Sequence, residues 1–287
     1  MIHLQGMGVI GCYLAVTLQR AGIDFTWSDT RERINAWQAC TGAIFPTGHA
    51  DDMRALRVWE RHRNEPGFEA HMEKSVYVYC TKHPPHGARD AHVMDLPGDM
   101  KAASVPSFHL NAQTWVPAIR RAFAHRERSG NVFSGQLIIT HGFGPRLGRF
   151  MWGWTVPVKV ATTIEFPGAR PAIYLRQGRF VMAYAYPIPG TDTWYAGSSL
   201  ISQRVPKRLD VHGKYHRWRH QMLELGHDYV RAIAPAGPPV QGWRPVPIEG
   251  DTPLVREVDG ALAVVPLWHS GVRHAPLVAD AVMEAIT

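Results

Sequence analysis

A chain of 287 residues with 45% hydrophobic content can bury one or two substantial cores. It has no run near the roughly 18–20 apolar residues of a membrane span, and Met1-Ile2-His3-Leu4-Gln5-Gly6 is no charged leader. A charge of +7 and a pI near 9.5 admit a polyanionic partner, and the odd set Cys12, Cys40 and Cys80 suits reduced thiols in a cytoplasmic compartment.

Ile2-His3-Leu4-Gln5 reads as a short strand, followed at once by Gly6-Met7-Gly8-Val9-Ile10-Gly11. Cys12 to Ala21 then reads as a helix, with Leu14, Ala15 and Leu18 on one face and Gly22 as its stop. A second strand over Asp24 to Ser28 ends at Asp29. Each glycine has a separate task. Gly6 permits a tight turn, Gly8 lets the backbone approach a pyrophosphate, and Gly11 lets the helix pack close to the strand. The helix amino terminus then offers N–H groups and a positive dipole end to the phosphates. Asp29, 18 residues after Gly11, stands where an acid accepts hydrogen bonds from an adenosine ribose. That order of strand, glycines, helix, strand and acid predicts a dinucleotide site of Rossmann type.

Further along, Thr114 to His125 reads as a helix with Asn111 as its cap, and Gln136 to Gly142 as a buried strand ending in a glycine turn. From Trp154 the pattern becomes extended. Val156 to Ile164, Ala172 to Arg176, Arg179 to Tyr186 and Thr193 to Leu200 are separated by turn signals and predict an antiparallel sheet. Asp210 to Ala234 returns to a helical pattern. Near the end, Ala261 to Val265 has a buried-strand pattern, and a loop from Pro266 to Pro276 opens a helix over Leu277 to Ile286. The fold class is therefore α/β: a Rossmann-type domain of residues 1–52, 100–146 and 240–287, with a smaller α+β domain of residues 53–99 and 147–239.

These motifs resemble the D-amino-acid oxidase superfamily, in particular its glycine oxidase and sarcosine oxidase branch. Besides the glycine triplet and acid, the resemblance rests on Thr41-Gly42-Ala43-Ile44-Phe45-Pro46-Thr47-Gly48, on Arg244-Pro245, and on the closing loop from Gly271 to Pro276. It implies FAD as cofactor, held by Gly6, Gly8, Val9, Ile10, Gly11, Asp29, Thr41, Gly42, Ala43, Gly142, Gly271, Val272, Arg273 and His274. It further implies hydride transfer from an amine bearing a carboxylate, then imine hydrolysis. Arg244 stands where relatives grip that carboxylate, because a guanidinium makes two charge-assisted bonds. His269 stands where they carry a polar residue over the site, and Tyr184 and Tyr195 come from strands of the substrate sheet. Two departures stand out: the chain is short for such a protein, which implies a trimmed substrate half, and Pro266 replaces a customary glycine.

Among phage flavoenzymes similar to this family, some trim amino-acid adducts on thymine. A glycine joined through nitrogen to the thymine methyl is a secondary amine with a carboxylate, and its oxidation would release glyoxylate. The basic clusters Arg204 to Arg219, with Trp218 inside, and Arg120 to Arg128 suit such a DNA partner in a host cytoplasm. The blander reading of both is a solvated basic face. His212, His216 and His220 recur at helical spacing without accompanying cysteines or acids, so no metal is expected. The alternatives are a small-molecule amine oxidase and a non-catalytic FAD- or NAD-binding protein.

Overall fold

The computed structural model describes the chain except residues 30–35, 47–49, 82–88, 91–100, 130–132, 142–147, 163–168, 178–180, 199–215, 217–219, 221–229, 239, 248–253, 266 and 268–270. Ile2, His3 and Leu4 of β1 (Ile2–Gln5) are all buried, as both faces of an inner parallel strand should be. β1 pairs in parallel with β2 (Phe25–Ser28) and with β7 (Gln136–Ile139). β15 (Ala261–Val264) adds in parallel beyond β7, and β14 (Val255–Val258) closes that edge antiparallel, giving the order β14-β15-β7-β1-β2. The polar side chain His3 is tolerated inside because its ring nitrogens meet Thr26 Oγ1 at 2.8 Å and Ser28 Oγ at 2.9 Å.

Helix α1 (Val9–Arg20) starts three residues earlier than its sequence pattern suggests, because the backbone turns helical directly after Gly8. Its buried face includes Cys12, Leu14, Ala15 and Leu18, and it packs on α4 (Gly271–Ile286). Helix α4 also begins early, at Gly271 rather than Leu277, and places Pro276 inside the helix. α3 (Ala112–Ala122) stops short of His125, where a 3-10 turn over Ala124–Arg126 follows. Trp27 Nε1 donates to the Phe123 carbonyl there at 2.8 Å, satisfying one of the groups a helix end leaves open. These elements belong to one unit, composed of Met1–Cys40, Ala112–Trp152 and Gly242–Thr287.

The other unit, Thr41–Asn111 and Gly153–Gln241, is the larger of the two rather than the smaller. Its sheet runs Val230–Pro235 (β12), Gly148–Thr162 (β8), Trp194–Ser198 (β11), Val181–Pro187 (β10), Arg170–Gln177 (β9), Met72–Thr81 (β4), Lys101–Leu110 (β6) and Ala43–Ile44 (β3), with β13 (Val240–Pro247) also paired to β8. β9 (Arg170–Gln177), β10 (Val181–Pro187) and β11 (Trp194–Ser198) are antiparallel neighbours, as their sequence predicts. The pairing of β4 (Met72–Thr81) with β9 is parallel, so the sheet is mixed. The ladder of β4 against β6 (Lys101–Leu110) was not expected, although Val76-Tyr77-Val78-Tyr79 carries a strand composition. Val230–Pro235 is strand β12 and not the end of a helix: its pairing with β8, across a bulge between Ala232 and Ala234, overrides the local helical pattern.

Arg170 pins this sheet. Its Nε and Nη2 donate to the two Glu73 carboxylate oxygens at 2.6 and 2.5 Å, and further donors reach the Ile188 and Thr191 carbonyls at 2.8 and 2.6 Å. The bidentate pair joins β9 to β4, and the carbonyl contacts hold the turn between β10 and β11. Asn111 Nδ2 donates to the Pro189 carbonyl of the same turn at 3.1 Å.

One face of the sheet gathers Val105, Ala172, Tyr184 and Tyr186, with Ala43 and Phe45 against them. His109 is fully buried beside Tyr186, their ring centroids 5.7 Å apart, and neither ring nitrogen makes a hydrogen bond of normal geometry. Burial lowers its pKa from 6.5 to about 3; the Thr41 main chain opposes this and Arg170 adds to it. The folded state thus prefers neutral His109, while the unfolded chain takes up a proton near pH 6.5. Stability from this group should be complete above pH 6.5 and should fall as pH drops toward 3, by at most about 1.4 kcal/mol per unit. Urea unfolding of wild type and His109→Leu across pH 4–7 should show a flatter pH dependence in the variant; parallel curves would refute the assignment.

Candidate functional site

The glycine loop after β1 has a separate geometric reason at each glycine. Gly6 has φ +106°, in the region that favours glycine, and its N–H donates to Ser28 O at 2.8 Å. A Cβ on Gly11 would lie 2.0 Å from the Gly6 carbonyl oxygen, so helix and loop touch backbone to backbone. A Cβ on Gly8, in contrast, would find nothing nearer than Trp37 Cδ1 at 3.9 Å. Gly8 caps α1 with extended backbone and no side-chain hydrogen bond. Thr140 buttresses the loop from β7: its hydroxyl donates to Gly6 O and its N–H to Gln5 O at 2.9 Å. Beneath the loop, Cys12 is buried with its sulfur 3.5 Å from Met7 O, and burial pushes its thiol far above the ordinary range.

Asp29 follows β2 and pairs with Arg120 of α3. Arg120 Nε also donates to Met7 O at 2.8 Å, and its guanidinium lies over the Trp37 ring, 5.6 Å from the centroid. Trp37 is carried by a 3-10 turn over Ala36–Ala39, which Gln113 ties to α3 through the carbonyls of Gln38 and Cys40 at 2.9 and 2.8 Å. The indole N–H of Trp37 is buried without a hydrogen-bond partner among the described residues. His141 packs against Gly6; burial lowers its pKa, and the charge of Asp29 opposes that shift.

Together these residues fit a dinucleotide. The helix end over Gly8 provides donors for a pyrophosphate, the Trp37 indole is a spare donor beside it, and Asp29 is a hydroxyl acceptor. Val9 and Ile10 form the first turn of α1, and a Cβ on Gly271 would sit 3.9 Å from Ile10, bringing the start of α4 beside that of α1. Gly271, Val272, Arg273 and His274 form the first turn of α4, with Val272 and Arg273 buried.

The remaining expected residues divide differently. Thr41, Gly42 and Ala43 belong to the second unit, where Ala43 pairs with His109 on β6. Gly42 has φ +66°, and a Cβ there would lie 1.7 Å from the Leu110 carbonyl oxygen, so chain packing alone demands that glycine. Tyr184 and Tyr195 are buried on one face of the sheet: Tyr184 stacks on Tyr186 at 4.7 Å between centroids, and Tyr195 stands opposite Tyr186. Arg244 lies on β13, its side chain outside the described set, as are Gly142 and His269.

Sequence reasoning missed Trp37, Thr140 and the inward role of Arg120, which its run of arginines presented as surface charge. Arg126 is likewise drawn inward, over the Phe25 ring at 4.6 Å and onto Gln19 Oε1 at 2.9 Å. Of the Arg204 to Arg219 cluster, only His216 within it is described; it and the nearby His220 are exposed. Among the described residues no cluster of metal-ligating side chains occurs, and no helix is long and apolar enough to cross a membrane.

No protein-family model matches the sequence, and no curated protein matches it. Solved structures do match. Iminodiacetate oxidase from Chelativorans sp. BNC1 superposes with a TM-score of 0.71 at 13% identity, over 98% of this chain and 93% of that one. Glycine oxidase from Bacillus cereus ATCC 14579 gives 0.70 at 13% identity, over 100% and 95%. L-proline dehydrogenase from P. horikoshii gives 0.72 at 11% identity, over 100% and 92%. The overlap runs over nearly the whole of each neighbour. In fold, the chain is one of the structures that include glycine oxidase, iminodiacetate oxidase and L-proline dehydrogenase.

Proposed function

We propose that the chain is an FAD-dependent enzyme that oxidises the C–N bond of a glycine substituted on nitrogen. The observation that carries this reading is the open backbone over Gly8 at the uncapped start of α1, with Asp29 and the Trp37 indole beside it, in a fold shared with amine-oxidising neighbours. In this reading residues 1–40, 112–152 and 242–287 hold FAD, and the larger sheet unit forms the substrate platform. Bound FAD supplies the hydride acceptor, which is the hard part of the chemistry. With FAD bound, oxidation of the carbon beside nitrogen would give an imine and release the amine proton to solvent, and water would hydrolyse that imine to glyoxylate and the remaining amine.

The chain's own residues then have positioning tasks. Arg244 grips the substrate carboxylate, and His269 orients the amine or the attacking water. Tyr184 and Tyr195 form part of the floor of the platform; both are buried on the same sheet face. Gly142 lines the cofactor, as do Gly271, Val272, Arg273 and His274 at the start of α4.

For the substrate we favour a glycine adduct on thymine in DNA, as a phage enzyme would meet it. The charge of +7 supports this, and so does the cluster from Arg204 to Arg219. The cluster from Arg120 to Arg128 supports it less, since Arg120 and Arg126 make contacts within their own unit. A small-molecule amine oxidase is the competing reading.

Purified protein should be yellow, and denaturation should release FAD rather than FMN. Gly8→Val should abolish retention, since a branched side chain would fill the space over the helix end. Colourless protein that binds NAD would refute the cofactor.

Arg244→Ala should keep FAD but weaken anaerobic flavin reduction by an N-substituted glycine by about 2–4 kcal/mol, the cost of a buried carboxylate without its partner. Unchanged reduction kinetics would make Arg244 structural.

For the substrate, reduction by DNA bearing glycyl-modified thymine should exceed reduction by free sarcosine or glycine. Binding of that DNA should fall steeply with salt as counterions compete for the phosphates. Efficient turnover of the free amines without salt-sensitive DNA binding would favour the small-molecule oxidase.

A further inference from the structure

Arg120 touches three separate segments that surround the expected cofactor phosphates and ribose. Its Nη2 pairs with the Asp29 carboxylate after β2, its Nε donates to Met7 O inside the glycine loop, and its guanidinium lies 5.6 Å from the centroid of the Trp37 ring, whose Cδ1 is 3.9 Å from where a Cβ on Gly8 would be. The side chain is a quarter exposed and that of Asp29 half as much, so the pair sits partly out of water. We propose that Arg120 is the positioning residue for the adenosine end of the dinucleotide, acting through Asp29 and the glycine loop rather than by contact with the cofactor. The proposal rests on the FAD reading.

Two physical effects follow. A carboxylate near a pyrophosphate repels it, and the guanidinium beside Asp29 offsets that charge while leaving the carboxylate as an acceptor for ribose hydroxyls. The Nε contact also fixes the Met7 carbonyl, and thereby the direction in which the loop presents its backbone to the phosphates. A planar fork bonds an acid and a carbonyl in fixed directions with its cation near the Trp37 ring, whereas an ammonium at the same place keeps the charge and loses that fixed geometry. The carboxylate has lone pairs beyond the one Arg120 uses, so the ion pair and the ribose hydroxyls are compatible.

Binding of FAD and of ADP to the apo-protein should be titrated for wild type, Arg120→Ala, Arg120→Lys, Asp29→Asn and the Asp29→Asn/Arg120→Ala double variant. Urea midpoints of the apo-proteins provide the check on folding. ADP carries the adenosine and pyrophosphate without the flavin, so it reports this end of the site alone. Arg120→Ala should weaken ADP and FAD by the same factor, about tenfold or more. Arg120→Lys should fall in between, and should serve in its place where the alanine variant does not fold. The loss in the double variant should be smaller than the product of the two single losses, because the arginine works in part through the acid. Wild-type affinity for ADP in both Arg120 variants would overturn the proposal, as would fold-losses in the double variant that multiply. Should wild type bind ADP but no flavin, the FAD reading alone fails and the ADP series still decides the role of Arg120.

Discussion

No side chain fits between α1 and the loop that precedes it. The Gly6 carbonyl occupies the place where residue 11 would carry its Cβ, 2.0 Å away, and the rest of the first unit follows from that contact. It lets the helix start immediately after Gly8, which leaves the extended backbone of Gly8 at an uncapped dipole end. It buries Cys12 against Met7 O. It lets Thr140 reach the Gly6 carbonyl from β7, so the loop is held from two sides. A methyl group at residue 11 would push α1 outward and, with it, every group that α1 positions.

The second unit is held by different means. Its strands are long and cross-paired, and a guanidinium rather than a glycine sets their register. Arg170 spends its donors on Glu73 and on the turn between β10 and β11, which leaves the neighbouring aromatic face to pack around a neutral imidazole. Tyr184 crosses Gly197, where any Cβ would meet its phenol oxygen at 2.1 Å. That glycine is required by packing, as Gly42 is, and neither needs a ligand to explain it.

How much of this the sequence discloses depends on the range of the interaction. The glycine loop, α1 and β2 are consecutive, and their conformations follow from steric rules acting over a few residues, so these elements read correctly apart from the start of α1. The strands from Arg170 to Ser198 read well for the same reason, with turns that announce themselves. Arg120 lies 91 residues from Asp29 and 113 from Met7, and nothing in the run Arg120-Arg121 distinguishes the inward arginine from the outward one. The strand at Val230–Pro235 carries local signals that favour helix, and only its partner β8 decides otherwise. The β4–β6 ladder had a legible composition; its pairing across the nineteen residues between Thr81 and Lys101 was not legible.

The order of strands in the first sheet has a consequence for synthesis. β15 pairs with β7, and α4 packs on α1, yet both lie in the segment Gly242–Thr287. On a ribosome, α1 would emerge early and wait through more than two hundred residues for the helix that covers it. During that interval Leu14, Ala15 and Leu18 must be shielded by something other than the finished unit, so nascent chains should depend on chaperones longer than the position of α1 alone suggests.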